Sequence, residues 1–293
     1  MARRAVLIYN PRAGRWRTAR LVRSLQEALE QGGLHAEARA TEGPGHATSL
    51  ARQAAEEGVE NLIAFGGDGT LREAAAGLLG SETSLGMIPG GTANVLPLSL
   101  GLPTHPLEAA RRLARSKVFE MDVGLCGEEA FLMLASGGLD AHVLRRIRPG
   151  LKRLLGRGAF VATTLRQWWT YPYPEIDLTA DGRPLRGTFL AVCNVPHYGG
   201  RWRIAPQASY TDRQLELVLF RGRGRRATLG FARDLVRGRH LRRGDVDLLR
   251  VEEVEIRGPR DLALQVDGDA LPPVALPATV RLAPERLRVL IPQ

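Results

Sequence analysis

Cysteine is scarce in this sequence, and long apolar runs are missing. The 293 residues include two cysteines, Cys126 and Cys193, which cannot form a disulfide framework. Both lie in apolar runs, so we expect buried free thiols in a reducing compartment. No window approaches the ~18–20 apolar residues of a membrane span, and the apolar run at the N-terminus is too short for a signal peptide. The sequence therefore predicts a cytoplasmic protein whose contact with a membrane is peripheral.

Acidic residues are also in short supply. Asp and Glu number 31 against 41 Lys and Arg, which gives a formal net charge of +10. Most of the excess is arginine and clusters after residue 140. Such an excess predicts an acidic partner, either a nucleotide, an anionic membrane surface or a nucleic acid. No recognised nucleic-acid motif accompanies it, so we expect no nucleic-acid partner.

Glycine, in contrast, is plentiful, with 33 residues, and it marks two turns of the first half, at residues 66–70 and 90–94. The apolar run Asn61 to Phe65 predicts a buried strand, and Gly66-Gly67-Asp68-Gly69-Thr70 predicts a turn into a helix. We expect Thr70 to cap that helix. Bare backbone N–H groups and a helix N-terminus favour a phosphate, and a carboxylate beside it suits a metal ion or a proton transfer. Asp68, at the tip, is the candidate carboxylate.

The same unit of strand, turn and helix repeats about four times in the first 120 residues. The predicted strands are 5–9, 35–41, 61–65, 85–89 and 118–123, and the predicted helices are 16–31, 46–57 and 105–117. This alternation predicts an α/β domain, a parallel sheet with helices on both faces. Ligands bind outside the carboxyl ends of such strands, so the turns that follow them should converge on a nucleotide. The P-loop and the dinucleotide fingerprint are both absent, which weakens those two interpretations.

From Glu175 onward the pattern changes to short extended runs between Gly, Pro or charged turns. These runs predict an antiparallel, sandwich-like β-rich domain. They are 175–180, 188–194, 215–220, 245–256, 262–266, 279–282 and 287–291, with 131–138 upstream and a helix at 229–239. We place the two domains at residues 1–127 and 128–293. The arginine runs 221–226 and 237–243 are interpreted as solvated loops.

A basic, aromatic stretch runs from Arg145 to Tyr173, and residues 154–169 predict an amphipathic helix within it. Two interpretations stay open. The stretch is either a membrane-facing surface, with Arg at lipid phosphates and Trp at headgroup level, or a solvated arginine face backed by aromatic core residues.

Three motifs together resemble the catalytic domain of the diacylglycerol kinase family. They are Gly66–Thr70 with Glu73, the run Pro89–Asn94, and the opening Asn10–Gly14. The likeness is to bacterial lipid kinases, with sphingosine and ceramide kinases as relatives and NAD kinases and 6-phosphofructokinases more distant. It implies ATP- and Mg²⁺-dependent phosphorylation of a membrane-lipid hydroxyl, such as that of diacylglycerol. It also implies a two-domain fold with the nucleotide in the cleft between the domains, in which the last strand can return to the first domain.

The resemblance assigns roles to individual residues. Contacts to ATP fall on Asn10, Pro11, Gly14, Thr41, Gly66, Gly67, Asp68, Gly69, Thr70, Glu73, Gly91, Thr92 and Asn94. Asp68 acts at the phosphate–metal centre, and Asp267 or Asp269 is the general base. Metal binding falls on Asp122, in an acidic network, and on a second-domain loop with Ser209, Asp212 and Gln214, which would bind mostly through backbone carbonyls. Without the resemblance, Asp267-Gly268 is an ordinary hairpin turn and His46 has a structural role.

Four positions depart from the family pattern. Arg72 replaces a common Asn, Arg213 replaces Gly in the metal loop, and Asp269 replaces Glu. Val95 replaces a common Asp, so one carboxylate of the acidic network is missing. Two alternatives therefore stay open, a soluble-substrate kinase resembling NAD kinase and a non-catalytic nucleotide- or lipid-binding protein. The lipid's identity and the oligomeric state, including a homodimer, also stay open.

Overall fold

The computed structural model describes residues 3–11, 19–113, 115–146, 163–273 and 275–292. The chain forms two compact units. The first comprises residues 1–123, 199–201 and 283–293, and the second comprises residues 124–198 and 202–282. Among the described helices, none has the length and apolar character needed to cross a bilayer.

The first unit is a six-stranded sheet covered by helices. Its elements are β1 (Arg3–Tyr9), α1 (Ala19–Glu30), β2 (Leu34–Ala40), α2 (His46–Glu56), β3 (Asn61–Gly66), α3 (Asp68–Leu78), β4 (Ser84–Pro89), α4 (Val95–Ser99), α5 (Pro106–Leu113), β5 (Ser116–Met121) and, at the end of the chain, β20 (Leu287–Pro292). The strand order is β2-β1-β3-β4-β20-β5. All neighbouring strands run parallel except β5, which is antiparallel to β20. The predicted parallel α/β sheet is confirmed, with one antiparallel edge strand added.

Both faces of this sheet are buried, which is why its central strands are continuous apolar runs. In β1, Ala5 and Leu7 pack with α1 and α5, and the alternate residues Val6 and Ile8 are also fully buried. On the side of α2 and α3, a Cβ at Gly77 would lie 2.4 Å from the backbone oxygen of Thr48. The two helices therefore pack backbone against backbone.

The segment after α5 differs from the prediction. The helix predicted to reach Lys117 ends at Leu113, and the strand predicted from Val118 begins at Ser116. Strand pairing with β20 explains the change, since β5 is hydrogen-bonded to β20 from its first residue to its last. Four of the six β5 residues are exposed because the strand forms the sheet edge. The five-residue helix α4 was not predicted because it is too short for a periodic pattern.

The second unit is β-rich and antiparallel throughout its described strands, as predicted. Its elements are β6 (Gly124–Cys126), β7 (Glu129–Phe131), β8 (Leu134–Gly137), α6 (Leu139–Arg146), α7 (163–170), β9 (Ile176–Ala180), β10 (Arg183–Gly187), β11 (Phe189–Cys193), β12 (His197–Tyr198), β13 (Trp202–Arg203), β14 (Leu215–Phe220), α8 (Gly224–Val236), a 3-10 turn (His240–Arg242), β15 (Val246–Val251), β16 (Glu253–Ile256), β17 (Leu264–Val266), β18 (Asp269–Ala270) and β19 (Ala278–Leu282). The strands form two six-stranded sheets, β10-β9-β16-β19-β6-β7 and β15-β14-β11-β8-β17-β18, and a separate two-stranded sheet, β12-β13.

The two large sheets form a sandwich. Leu178 and Val280 of the first sheet share one buried core with Leu190 and Leu217 of the second. The other side of the second sheet is covered by α8, whose Phe231 stacks on Phe220 with ring centroids 4.7 Å apart. The predicted sandwich-like architecture is thus present, with a helical layer on one side.

Several element boundaries in this unit were predicted wrongly. Helix α8 begins at Gly224, inside the arginine run 221–226 that was interpreted as a loop. Arg225 and Arg226 lie on the solvent side of the helix, so their charges are compatible with a helical backbone. The run 245–256 is two strands in different sheets, and 131–138 is interrupted between β7 and β8. Of the helix predicted at 154–169, the part before residue 163 lies outside the described residues.

Candidate active site

The two glycine turns of the first unit lie against each other. A Cβ at Gly91 would stand 2.6 Å from Cα of Gly67, a distance that backbone atoms cannot accommodate. The N–H of Gly90 donates to the carbonyl of Gly66 at 2.7 Å. Gly67 has a φ of −89°, so a left-handed backbone does not account for glycine here, and a Cβ at Gly67 would lie 3.3 Å from Cα of Gly91. The turns after β3 and β4 therefore form one continuous backbone surface.

Asp68 lies between these turns and is the first residue of α3. The prediction that Thr70 caps this helix is wrong, because the helix begins two residues earlier and Thr70 lies in its first turn. The Asp68 Oδ1 atom accepts the N–H of Leu96 at 3.1 Å, so the carboxylate also holds the first turn of α4. Burial raises the pKa of the Asp68 carboxyl, and backbone N–H groups at Leu96 and Val95 oppose that shift.

Asn94 closes the second glycine turn. Its Oδ1 accepts the N–H of Gly91 at 2.8 Å, and its Nδ2 donates to the carbonyl of the same residue at 3.1 Å. Its backbone is left-handed, with a φ of 49°, which Asn tolerates better than most residues. Thr92 is exposed on the loop that this clamp fixes. Asn94 therefore shapes the turn with its side chain.

The ends of β1 and β2 join the same edge of the sheet. The N–H of Asn10 donates to the carbonyl of Phe65 at 3.3 Å, and the N–H of Thr41 donates to the carbonyl of Tyr9 at 2.9 Å. Pro11 is exposed beside them, and Gly14 lies outside the described residues. The four strand ends that were expected to converge thus lie side by side.

Glu73, on α3, connects this edge to α2. Its Oε2 accepts the N–H of Ala47, in the first turn of α2, at 3.2 Å, and its carbonyl accepts the hydroxyl of Thr48 at 2.9 Å. His46 accepts the N–H of Glu42 through Nδ1 at 3.0 Å, which agrees with a structural role. Glu73 therefore positions the start of α2, and contact with ATP stays a prediction.

Asp122 is completely buried in the first unit. Its Oδ1 accepts Nε of Arg286 at 2.9 Å, and the same guanidinium reaches Glu120 at 3.3 Å. Arg286 comes from the segment that leads into β20. An arginine therefore offsets the charge of Asp122.

In the second unit, Asp267 is almost fully buried at the tip of the β17–β18 hairpin. Its Oδ2 accepts the N–H of Leu132 at 2.7 Å, and its Oδ1 accepts those of Met133 and Leu134 at 2.9 and 3.0 Å. Its φ of 51° and the 87° of Gly268 make a two-residue hairpin turn. The hairpin turn predicted for the Asp267-Gly268 pair is therefore present. Through its side chain, Asp267 also holds the interruption between β7 and β8.

Asp269 begins β18 and is exposed. Behind the same turn, the carbonyl oxygen of the Gln265 side chain accepts the N–H of Gly268 at 2.7 Å. Its amide nitrogen donates to Ser136 Oγ at 2.6 Å, and Ser136 donates to Asp140 at 2.5 Å. A polar chain thus runs from the hairpin to α6.

Asp140 is the main residue of this hydrogen-bonded network that the sequence analysis did not identify. Its Oδ2 also accepts the hydroxyl of Tyr198 at 3.1 Å, and its Oδ1 accepts the N–H of Ala141 at 2.7 Å. Burial raises the pKa of the Asp140 carboxyl, and the donors around it act in the opposite direction. The only sequence signal was an Asp two residues after the strand-ending Gly137-Gly138 pair.

The loop expected to bind a metal in the second unit carries mixed charges. Asp212 Oδ1 accepts the N–H of Gln214 at 3.2 Å, and its Oδ2 lies 3.8 Å from Arg250. Ser209 contacts the hydroxyl of Thr211 at 3.2 Å. A guanidinium beside the one carboxylate opposes a hard cation, so these side chains do not fit Mg²⁺ well. Within the described residues, no three His, Cys, Asp or Glu side chains are grouped to hold a metal.

Two family models match the chain. The diacylglycerol kinase catalytic domain matches residues 4–126, and the YegS C-terminal NAD kinase β-sandwich-like domain matches residues 134–291. A YegS-like protein of Chromohalobacter salexigens, named a probable lipid kinase, is 36% identical over 259 residues, which cover 85% of this chain and 82% of that protein. The diacylglycerol kinase of Bacillus subtilis is 27% identical over 272 residues, which cover 91% and 90%.

Solved structures agree on the fold. A crystal structure of a diacylglycerol kinase from Bacillus anthracis matches with a TM-score of 0.75 and 22% identity, over 99% of this chain and 97% of that one. The two family models together cover most of the chain, one in each half. The chain belongs to the diacylglycerol kinase catalytic-domain family of lipid kinases, which are phosphotransferases with an alcohol group as acceptor.

Proposed function

We propose that this protein transfers the γ-phosphoryl group of ATP to a hydroxyl of a membrane lipid such as diacylglycerol. The observation that carries the proposal is the contact between the Gly67 and Gly91 turns, with Asp68 between them. The two relatives described above are named as kinases of lipids or of diacylglycerol, which supports the substrate class.

The triphosphate is assigned to the edge formed by the turns after β3 and β4. Side chains are absent at Gly66, Gly67 and Gly91, so phosphate oxygens can approach the backbone N–H groups there. The N-terminus of α3 points its first N–H groups toward the same edge, which favours negative charge. Phosphoryl transfer needs mainly positioning and charge stabilisation, and both are available from fixed backbone groups.

Mg²⁺ bound with ATP would offset the charge on the phosphates, since it is usually held by one or two carboxylates together with phosphates and waters. Asp68 fits as such a carboxylate, because it is partly exposed at the nucleotide edge. Asp122 is buried and ion-paired with Arg286, so we assign it to the charge balance around the site.

For the general base we favour Asp269 over Asp267. Both oxygens of Asp267 already accept backbone N–H groups, whereas Asp269 is exposed. A base must reach the hydroxyl proton that it removes. The chain Gln265–Ser136–Asp140 would hold the hairpin turn in place for that reaction.

A soluble acceptor is the second candidate, because the family model matched by residues 134–291 is described as NAD kinase β-sandwich-like. A panel of acceptors with labelled ATP separates the two functions. Diacylglycerol and a sphingoid base would be presented in mixed micelles, and NAD⁺ in buffer. We expect label in the lipid fraction only, and labelled NADP⁺ without labelled lipid would favour the alternative.

Activity is expected in the cytoplasm at the surface of an anionic membrane.

Asp68→Asn is the sharpest test of the phosphate–metal assignment. Asn keeps an oxygen that can accept the N–H of Leu96 but removes the charge, so we expect wild-type stability and a loss of kcat of at least about 100-fold. Asp68→Ala should lose the same activity and, in addition, about 1 kcal/mol of stability, because the first turn of α4 loses its acceptor. Normal kcat in Asp68→Asn would show that Asp68 has no role at the reacting phosphate.

A further inference from the structure

Helix α8 has two apolar sides, and only one of them is used in the fold. Phe231 and Leu235 are buried against the sandwich. Leu229 and Val236, each 58% exposed, lie on a neighbouring, solvent-facing side, with exposed Ala232 between them. The spacing 229, 232 and 236 places all three on one stripe of the helix.

Helix α7 continues this stripe. Leu165 and Trp169 are 60% and 64% exposed and lie four residues apart, on one side of α7. The guanidinium of Arg225, on α8, lies 4.2 Å from the ring centre of Trp169. The indole N–H of Trp168 donates to the carbonyl of Arg225 at 3.1 Å. These contacts fix the end of α7 to the start of α8, and we call the exposed residues 165, 169, 225, 229, 232 and 236 the α7–α8 strip.

The border of the strip is strongly basic. Residues 163–170 and 224–239 contain six arginines and one acidic residue, Asp234. That aspartate is ion-paired with Arg243 at 2.9 Å and with Arg233 at 3.1 Å, so its charge is offset locally. Arg226 and Arg237 are exposed at the border. The strip therefore combines large exposed apolar side chains with an excess of positive charge.

The combination of exposed apolar side chains and positive charge favours one of three candidate partners for the strip. A second copy of the chain would bring two arginine-rich borders together, which like-charge repulsion opposes. A nucleic acid would use the arginines but would gain little from Leu229, Val236 and Leu165. An anionic bilayer uses both, since arginines meet lipid phosphates while Trp and aliphatic side chains enter the boundary between headgroups and acyl chains.

We propose that the α7–α8 strip docks the protein on an anionic lipid bilayer, with its apolar residues inserted and its arginines at the phosphates. This inference rests on the proposed function, because a lipid kinase must meet its substrate at such a surface. It replaces the broad stretch 145–173 of the sequence analysis with residues on two helices, of which α8 carried no membrane signal in the sequence.

The test of insertion is co-sedimentation with vesicles of phosphatidylcholine containing 30% phosphatidylglycerol. Leu229→Ser/Val236→Ser should reduce vesicle affinity at least tenfold. The matched control is Val118→Ser/Phe119→Ser on β5, whose side chains are 45% and 42% exposed, and it should stay within twofold of wild type. An equal loss of vesicle affinity in the two double variants, or no loss in either of them, would overturn the proposal.

The test of charge uses Arg226→Gln/Arg237→Gln, with Arg52→Gln/Arg111→Gln as a control that removes the same net charge from other exposed positions. The Arg226→Gln/Arg237→Gln variant should bind the anionic vesicles at least fivefold more weakly than wild type, and its affinity should depend less steeply on salt. If the control variant weakens vesicle binding equally, net charge alone attracts the protein. That result would contradict a defined docking strip.

Activity on a short-chain diacylglycerol dispersed as monomers separates this proposal from the proposed function. Leu229→Ser/Val236→Ser should keep wild-type kcat on that lipid and lose activity on vesicles. If wild type phosphorylates no lipid but binds vesicles through the strip, the function fails and the docking holds. A strip variant that turns a wild-type dimer into a monomer in light scattering would assign the strip to a second copy and overturn the proposal.

Discussion

At the scale of single residues, two aspartates of one hairpin have opposite surroundings. Asp267 gives both carboxylate oxygens to the backbone of Leu132, Met133 and Leu134, and Asp269 is exposed. A charged acceptor with three donors contributes more to stability than an ordinary hydrogen bond. We therefore expect stability and catalysis to separate between these two neighbours.

Asp267→Asn should lower the free energy of unfolding by about 2–4 kcal/mol, because the new NH₂ group faces a buried N–H donor. Asn tolerates the left-handed backbone of this turn, so the loss is not a backbone effect. Asp269→Asn should stay within about 0.5 kcal/mol of wild type and lose kcat by about 10²–10⁴-fold. Urea denaturation and steady-state kinetics measure both. Wild-type turnover in Asp269→Asn would reject it as the base.

The sequence predicted the Asp267-Gly268 turn correctly but not the use of the side chain. The donors to Asp267 lie more than 130 residues earlier, and a local pattern carries no information about such a contact. Asp140 was missed for the same reason, since its partners Tyr198 and Gln265 come from distant strands.

At the scale of elements, each buried strand of the first sheet was predictable within one or two residues, because a strand buried on both sides is a nearly continuous apolar run. The edge strand β10 was not predicted, since Arg-Pro-Leu-Arg-Gly has no apolar alternation. The glycines of the two turns were recognised, but the reason for them was not. They are needed because the turns touch each other, and a sequence does not show which loops are neighbours.

Gly91→Ala tests this contact between elements. The added methyl group would meet the backbone of Gly67, so one turn must shift, at a cost of about 1–3 kcal/mol. We expect weaker ATP binding as well, because the same backbone is assigned to the phosphates. Calorimetric titration with ATP and thermal unfolding measure the two effects.

Gly43→Ala is the matched control, because a Cβ at Gly43 would have open space around it. It should change neither ATP affinity nor stability appreciably. An ATP affinity of Gly91→Ala equal to that of Gly43→Ala would remove the nucleotide from this pair of turns.

At the scale of the whole molecule, the last strand of the chain completes the first sheet. β20 lies between β4 and β5, and the segment before it supplies Arg286 to the buried Asp122. The resemblance to a known family raised the return of this strand, but residue patterns could not establish it. A short, largely apolar run such as Leu287–Pro292 fits equally well in either sheet system.

Arg286→Gln should lower the free energy of unfolding by about 3 kcal/mol, because the buried Asp122 loses its guanidinium partner. Adding Asp122→Asn should restore part of that loss, since no buried charge then remains at the site. Arg288→Gln is the control on the same strand, and its exposed pair with Glu82 contributes at most about 1 kcal/mol. Denaturant titrations of the three variants measure the difference, and equal effects of Arg286→Gln and Arg288→Gln would contradict the role given to Asp122.

The position of β20 also sets an order of events during synthesis. β4 and β5 leave the ribosome early, yet the strand that joins them is made after every described strand of the second unit. A nascent chain therefore carries a sheet with an open gap while the residues of the sandwich emerge and pair among themselves. A stop codon placed before Leu287 would remove an interior strand from the first unit, so that unit depends on codons read after those of the whole sandwich.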